Sequence, residues 1–366
     1  MALNFSQWGN DLYTGRRSYK VVSKRRIWFT VGFCVIAACA ILLFKPGLQL
    51  GIEFVGGTEF KVSDAATTEQ ALAGDAVQSV IGGDLPQVSE LGNNGVRVRT
   101  VTVSEAEAQE IKTALATAYE VPEENVSTSA VGATWGAGVF STAVRGCIIF
   151  LVLVAIAMVL YFRNWAMSVS AITALLHDLV VTVGVYAAVG FEVTPATLIG
   201  FLTVLGYSMY DTVVVFDKVR ENTAGVLDQT QYTYGEAANL AVNQTMVRSI
   251  NTSVVALLPV ASILFIGWAL LGAGTLQDIS LALFVGMAAG TYSSIFLATP
   301  LEVFLRERET KIREHTARVL AKRAAAIAAG EDTGVGLTAL AGIGAMKAGG
   351  HQGQAAQPRR KARSGR

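Results

Sequence analysis

The chain has 366 residues, of which 52% are hydrophobic and only 16% charged, with a mean hydropathy of +0.45. Soluble chains carry about 25% charged residues, so this composition excludes an ordinary soluble protein and points to a polytopic membrane protein. The net charge of +1 conceals a segregation: of the charged residues, 7 lie in 1–26, 18 in 45–138 and 18 in 306–366, leaving 14 for all the rest. Cys34, Cys39 and Cys147 all fall in apolar runs, which argues against a disulfide framework and a cysteine-based zinc site.

Residues 1–26 form a basic leader, with Arg16, Arg17, Lys20, Lys24, Arg25 and Arg26 ahead of the first apolar run. A helix needs about 20 mostly apolar residues to cross a bilayer, and six segments qualify: 27–44, 139–162, 168–190, 196–216, 249–271 and 278–299. An even number of spans puts both termini on one side. The basic leader, and thirteen Lys/Arg against five Asp/Glu in 306–366, assign that side to the cytoplasm. The first span could also be read as a cleaved signal, since Ile36-Ala37-Ala38-Cys39 resembles a lipoprotein cleavage box. The apolar run continues past the cysteine to Phe44, however, which favours an uncleaved anchor.

Residues 45–138, with thirteen acids and five bases, are then expected on the opposite side as a small α+β domain. Leu50 to Val62 alternates as a strand does, and Thr67 to Val80 has helical spacing with Thr67 as its cap. Val88 to Leu91 and Val96 to Val103 flank Gly92-Asn93-Asn94-Gly95, residues that favour a hairpin turn. Ser104, with Glu107 three residues on, predicts a capping box for a helix through Tyr119, and a last strand runs from Asn125 to Val131. The order β-α-β-β-α-β is that of a ferredoxin-like unit.

Spans two to six are separated by short connections except for 217–247. Beyond the last span, 306–366 is basic at first, as in a helix extending span six, and from Gly330 it is expected to be largely disordered. The tail is read as topogenic charge and a solvated segment. Anionic lipid and ribosomal RNA are weaker alternatives, and no specific nucleic acid is implied.

No ATP site is expected. Gly272-Ala273-Gly274 and Gly342-Ile343-Gly344 lack the lysine and the strand-to-helix setting of a phosphate loop, and the three histidines are scattered, so no metal site and no cofactor are expected. The distinctive feature is charge inside the spans. Asp178 sits near the middle of the third span, and Asp211 about 7 Å from the middle of the fourth at helical rise. An aspartate at a helix centre costs about 2.5 to 3.5 kcal/mol to insert, so such residues face a bundle interior and often mark an ion or proton path. No Lys or Arg occurs from Asn164 to Asp217, which makes Arg248, at the start of the fifth span, the candidate partner of Asp211. Asn251 and Thr252 share the helical face of Arg248, and Ser208 shares that of Asp211. Asp178 is open between a functional and a structural role, while Asp217, beside Lys218, reads as a solvated helix end. Gly286 and Gly290 form a GxxxG pair suited to close helix packing, and Gly51, Gly56 and Gly57 suit either a hinge or a tight packing site beyond the first span.

Four stretches then suggest a family: Gly51-Ile52-Glu53-Phe54-Val55-Gly56-Gly57-Thr58, the run from Gly206 through Tyr210 and Asp211 to Asp217, Arg248-Ser249-Ile250-Asn251-Thr252-Ser253, and Gly290 to Phe296. Together with Leu176-His177-Asp178 they resemble, in order and spacing, the motifs of the SecF family of protein-export membrane proteins, which belongs to the RND superfamily. The resemblance covers about residues 20 to 310. It implies an RND-type half-transporter of six transmembrane helices that acts with SecD and the SecYEG channel, with YajC as a further associate and membrane lipids as surroundings. Proton-motive force would drive movement of the exported domain and so help pull unfolded polypeptide outward across the bacterial plasma membrane. Carried over by position, Asp211 and Arg248 would be proton-path residues, lined by Asn251 and Thr252. Tyr210 stands where many members have Asn, and Glu53 where Asp is common. No enzymatic activity is implied. An RND-type exporter of lipids or small molecules and a non-transporting translocon scaffold are the rival readings, and sodium could replace the proton.

Overall fold

A computed structural model describes residues 5–82, 85–91, 94–266 and 274–329. Gly92 and Asn93 of the expected hairpin turn, the end of the fifth span at 267–271, Gly272, Ala273, Gly342-Ile343-Gly344 and the expected disorder beyond Gly330 lie outside the described residues.

Helix α1 (Phe5–Tyr13) precedes α2 (Arg25–Leu42), the first span. Strand β1 (Gln49–Leu50), the short helix α3 (Ile52–Val55), β2 (Gly57–Val62), α4 (Gln70–Ile81), β3 (Gln87–Leu91), β4 (Gly95–Thr100), α5 (Glu105–Ala118) and β5 (Val126–Val131) follow. Then come α6 (Ala133–Phe162), α7 (Trp165–Val189), β6 (Glu192–Val193), α8 (Pro195–Thr223) and α9 (Tyr234–Ile266). Helix α10 (Gly274–Tyr292) continues through a π-helical turn, Ser293–Ala298, into α11 (Thr299–Arg306), and α12 (Thr310–Ala328) ends the described chain. Among the described residues, six helices are long and apolar enough to cross a membrane, as the sequence predicts.

The boundaries follow local chemistry. Arg163 in the left-handed conformation ends α6, and the Asn164 side chain accepts from Ala166 N and Met167 N to start α7. Gly190 closes α7, again left-handed, and Thr194 with Pro195 opens α8 through a capping box. Helices α6 and α9 leave most of their apolar surface uncovered, whereas α7, α8 and α10 with its continuation bury nearly half of theirs and form the centre. The expected connection over 217–247 is mostly helix: α8 runs on to Thr223 and α9 begins at Tyr234. Hydropathy registers only the part of a helix that faces lipid, and here the flanking polar residues Asn222, Asn243 and Gln244 are buried by other parts of the chain.

The βαββαβ segment forms a four-stranded antiparallel sheet in the order β3-β4-β2-β5. Phe60, Val62, Val96 and Val98 on one face pack against Ile111, Leu115 and Tyr119, and Ala73 and Val77 complete this core under α4 and α5. The Ser104–Glu107 capping box is present. Helix α4 starts at Gln70 instead of Thr67, whose hydroxyl accepts from Glu69 N. The strand expected from Leu50 to Val62 is broken by α3, because the chain turns at Gly56 (φ +79°) and Gly57 (φ +125°). A Cβ at Gly56 would lie 2.5 Å from Ala133 Cα, so the base of the sheet is pinched against the start of α6. Gly51 donates to Val193 O, and a Cβ there would press to 3.1 Å from Thr194 Cγ2. All three glycines thus stand at close approaches, a Cβ at Gly57 falling 2.6 Å from Thr100 O.

Gly286 and Gly290 seat α10 on α8. A Cβ at Gly290 would come within 2.9 Å of Ser208 Cβ, and one at Gly286 would collide with Val204. Overpacking of this kind costs about 1 to 3 kcal/mol. Gly286→Leu should therefore lower the thermal unfolding midpoint of the detergent-purified protein by several degrees, whereas Gly146→Leu, on α6 with open space around it, should leave it unchanged.

Candidate functional site

Asp178 is fully buried on α7, and Asp211 is 6% exposed on α8. Ser208 lies three residues before Asp211, on the same face, and Gly290 lets that face approach the end of α10. Asp178 Oδ2 accepts from Ser208 Oγ at 2.5 Å and Ser293 Oγ at 2.7 Å, and its Oδ1 lies 3.1 Å from His177 Nδ1. Asp211 Oδ1 accepts from Ser249 Oγ at 2.7 Å and Oδ2 from Ser294 Oγ at 2.5 Å. Ser293 and Ser294 are consecutive residues that open the π-helical turn after α10, and each serves a different aspartate. A π-helical insertion inside an α-helix re-aims side chains and recurs at functional sites. A further hydroxyl pair, Ser253 Oγ and Thr291 Oγ1 at 2.6 Å, continues the polar thread along α9 and α10.

Three of the sequence candidates fall differently. Among the described residues, neither aspartate lies within ion-pair distance of a lysine or arginine. Arg248, expected to pair with Asp211, is exposed, and its Nη2 donates to Tyr210 Oη at 3.4 Å. Asn251 is likewise exposed, and the Thr252 hydroxyl is used on Arg248 O at 2.9 Å. The three share a face of α9, as their spacing predicts, but it is the outward one. Successive residues point about 100° apart on a helix, so Ser249, one position from Arg248, occupies the inward face together with Ser253. Ser249, Ser293 and Ser294 are therefore site residues that sequence reasoning missed. The signal was present: Ser249 and Ser253 are four apart on a helix that must bury one face. Asp217 is exposed, as expected, but it does not end its helix: α8 continues to Thr223, and Tyr161 Oη donates to Asp217 at 2.7 Å.

Serine hydroxyls both donate and accept. The cluster can therefore satisfy an ionised carboxylate through donated bonds, or a protonated one by turning a hydroxyl around. The same oxygens suit a small cation. Among the described residues no group of three His, Cys, Asp or Glu is placed to hold a metal.

A second polar cluster escaped the sequence reading. Arg97 and Arg99, two apart on β4, point to the face of the sheet opposite its apolar core. Arg97 Nη1 lies 2.8 Å, and Arg99 Nη2 3.1 Å, from Glu192 Oε1 in the α7–α8 connection. Glu59 on β2 approaches Arg97 at 3.8 Å and pairs with Lys61 at 2.9 Å. Arg99 also donates to Leu50 O at 2.7 Å, and β1 pairs in parallel with β6 through Gln49↔Glu192 and Leu50↔Val193. Burial lowers the Arg97 pKa, but the charges of Glu192 and Glu59 outweigh it and hold the guanidinium above its ordinary value. A further buried acid, Glu302 on α11, accepts from Tyr234 Oη at 2.5 Å. Glu192 and Glu302 are among the few charged residues between the sheet segment and the tail, and that scarcity was the available signal.

Comparison with known proteins accords with this architecture. Residues 110–308 match the family described as "Protein export membrane protein SecD/SecF, C-terminal", and residues 41–63 match the "SecD/SecF GG Motif". The chain is 45% identical over 323 residues to the protein translocase subunit SecF of Streptomyces coelicolor, covering 88% of this chain and 86% of the relative. It is 29% identical over 288 residues to the protein translocase subunit SecDF of Thermus thermophilus, covering 77% of this chain and 38% of that protein. The crystal structure of SecDF from Thermus thermophilus, a translocon-associated membrane protein, superposes with a TM-score of 0.71 at 26% identity. That match covers 80% of this chain but only 39% of the SecDF chain. The glycine-rich segment beyond α2, the helices that carry the buried aspartates, and this similarity over most of the sequence agree: the chain belongs to the SecD/SecF family of protein-export membrane proteins, on its SecF side.

Proposed function

We propose that the chain is the SecF half of a proton-driven export device, in which Asp211 is loaded and unloaded by ions crossing the plasma membrane. The observation that carries this reading is the pair of carboxylates in the bundle centre held by Ser208, Ser249, Ser293 and Ser294, with no Lys or Arg in ion-pair reach among the described residues. A structural staple gains most from a fixed opposite charge. Reorientable hydroxyls suit a group whose charge changes. Both termini lie in the cytoplasm in this reading, and the βαββαβ unit is a ferredoxin-like domain on the outer side.

Arg248, Asn251 and Tyr210 form a polar stripe exposed on a membrane-spanning surface. Lipid cannot satisfy such groups, and a partner half with its own spans, SecD, would cover them. Arg248 then lies at the boundary between the halves, where a shift toward Asp211 would favour the ionised carboxylate. The Glu192 network and the β1–β6 pair connect the α7–α8 connection, whose helices carry Asp178 and Asp211, to the sheet that would bear on exported polypeptide emerging from SecYEG. The reading assigns no covalent chemistry and no bound cofactor; the ion gradient is the energy source.

In cells depleted of their own copy, Asp211→Asn should abolish the stimulation of reporter preprotein secretion while membrane level and SecD co-purification stay normal. Normal secretion by this variant would leave a scaffold role in its place. Glu192→Ala leaves two buried arginines without their carboxylate, a loss of about 3 to 5 kcal/mol for a buried pair. Deuterium uptake of the peptide covering 48–56 in the full-length protein should rise sharply, while uptake in the sheet core around Phe60 and Val98 stays slow.

A further inference from the structure

We infer that residues 5–22 form a plug closing the side of the Asp211 site nearest the termini, and that Asn239 and Asn243 are positioning residues that hold it there. The inference rests on the proposed ion path through Asp211.

The leader is built into the bundle. Leu12 and Val21 are buried against Val215, Val242, Met246 and Ile295, with Trp8, Trp28 and Phe296 around them. Three of those partners adjoin the site: Val215 is one helical turn beyond Asp211, Met246 is three residues before Ser249, and Ile295 follows Ser294. The leader therefore packs against the same three helical segments that supply the Asp211 carboxylate and its two donors, within about one turn of each of those groups. Water entering from the end that carries the termini has to pass this plug.

A dedicated receptor holds it. The Asn243 side chain is fully buried, accepts from Tyr19 N at 2.7 Å and donates to Tyr19 O at 3.0 Å, as a neighbouring strand would. One turn earlier, Asn239 accepts from Val22 N at 3.1 Å and donates to Ser18 Oγ at 3.1 Å. Gln244 donates to Tyr13 O at 3.1 Å and is itself held by Asn222 at 2.9 Å. Charge of the leader alone would set topology without any of these bonds. Buried amides that lose their partners are costly, so the receptor and the strap require each other.

The test uses the full-length protein with SecD in inside-out vesicles, with Cys34, Cys39 and Cys147 replaced by serine. A reporter Val215→Cys should react with a membrane-impermeant maleimide at least tenfold faster when Asn239→Ala and Asn243→Ala are combined, while a reporter Leu175→Cys, buried on α7 away from the leader, stays slow. An unchanged rate at 215, or an equal rise at 175, overturns the plug. The second arm locks it. A Cβ at Gly9 would lie 3.9 Å from Val247 Cβ, within the spacing a disulfide needs. Oxidised Gly9→Cys with Val247→Cys should lose gradient-driven export and regain it on reduction. Equal export in the two states, or failure to cross-link, also overturns the proposal. Asp211→Asn separates the two readings, because it should stop export without changing labelling at 215.

Discussion

A carboxylate taken out of water has to find hydrogen-bond donors, and most of this bundle's arrangement follows from supplying them to Asp178 and Asp211. The donors come from three directions: Ser208 along α8, Ser249 from α9 and the Ser293–Ser294 pair from the π-helical turn. Each requires a close approach between helices. Gly290 makes room for Ser208, and Gly286 for Val204 one turn away. The small residues of the interface and the polar residues of the site are thus parts of one solution, in which backbones come near enough for short serine side chains to reach across.

The sequence read alone delivered the spans, the order of the sheet segment, both aspartates and Ser208. Those are properties of single segments: apolar length, alternation, a cap, an acid where lipid should be. It failed where the answer depended on which side of a helix turns inward. Arg248 is the cation that antiparallel spans would bring to the depth of Asp211, yet the adjacent Ser249 reaches Asp211 and Arg248 faces outward. Charge is conspicuous in an apolar run and a serine is not, although inside a bundle a neutral donor, which costs less to desolvate than a guanidinium, is the easier partner. The strand expected through Leu50 to Val62 failed for a related reason. Its alternation is genuine, but two glycines with positive φ divide it into a joint and a strand.

The leader shows how much one terminal segment can depend on remote residues. Its basic residues suggest orientation only. Its docking is written in Asn239, Asn243 and Gln244, more than two hundred residues away, which hydropathy would have assigned to a polar connection. Amides on successive turns of one helix offer paired donors and acceptors, and these take up the irregular backbone of residues 18–22, which has no sheet to join.

The attachment of the sheet carries a mechanical implication. Its base is pinched at Gly56 against Ala133, where chain entering and leaving the unit meet, and separately its charged face grips the α7–α8 connection through Glu192. The first contact is made of backbone with no room to slide; the second combines side chains that can exchange partners with the two-residue β1–β6 pair. A body held so has a fixed pivot and a releasable catch. In the reading proposed above, release of the catch would let the unit turn about that pivot, so that a small shift between α7 and α8 would become a larger arc at the far edge of the sheet.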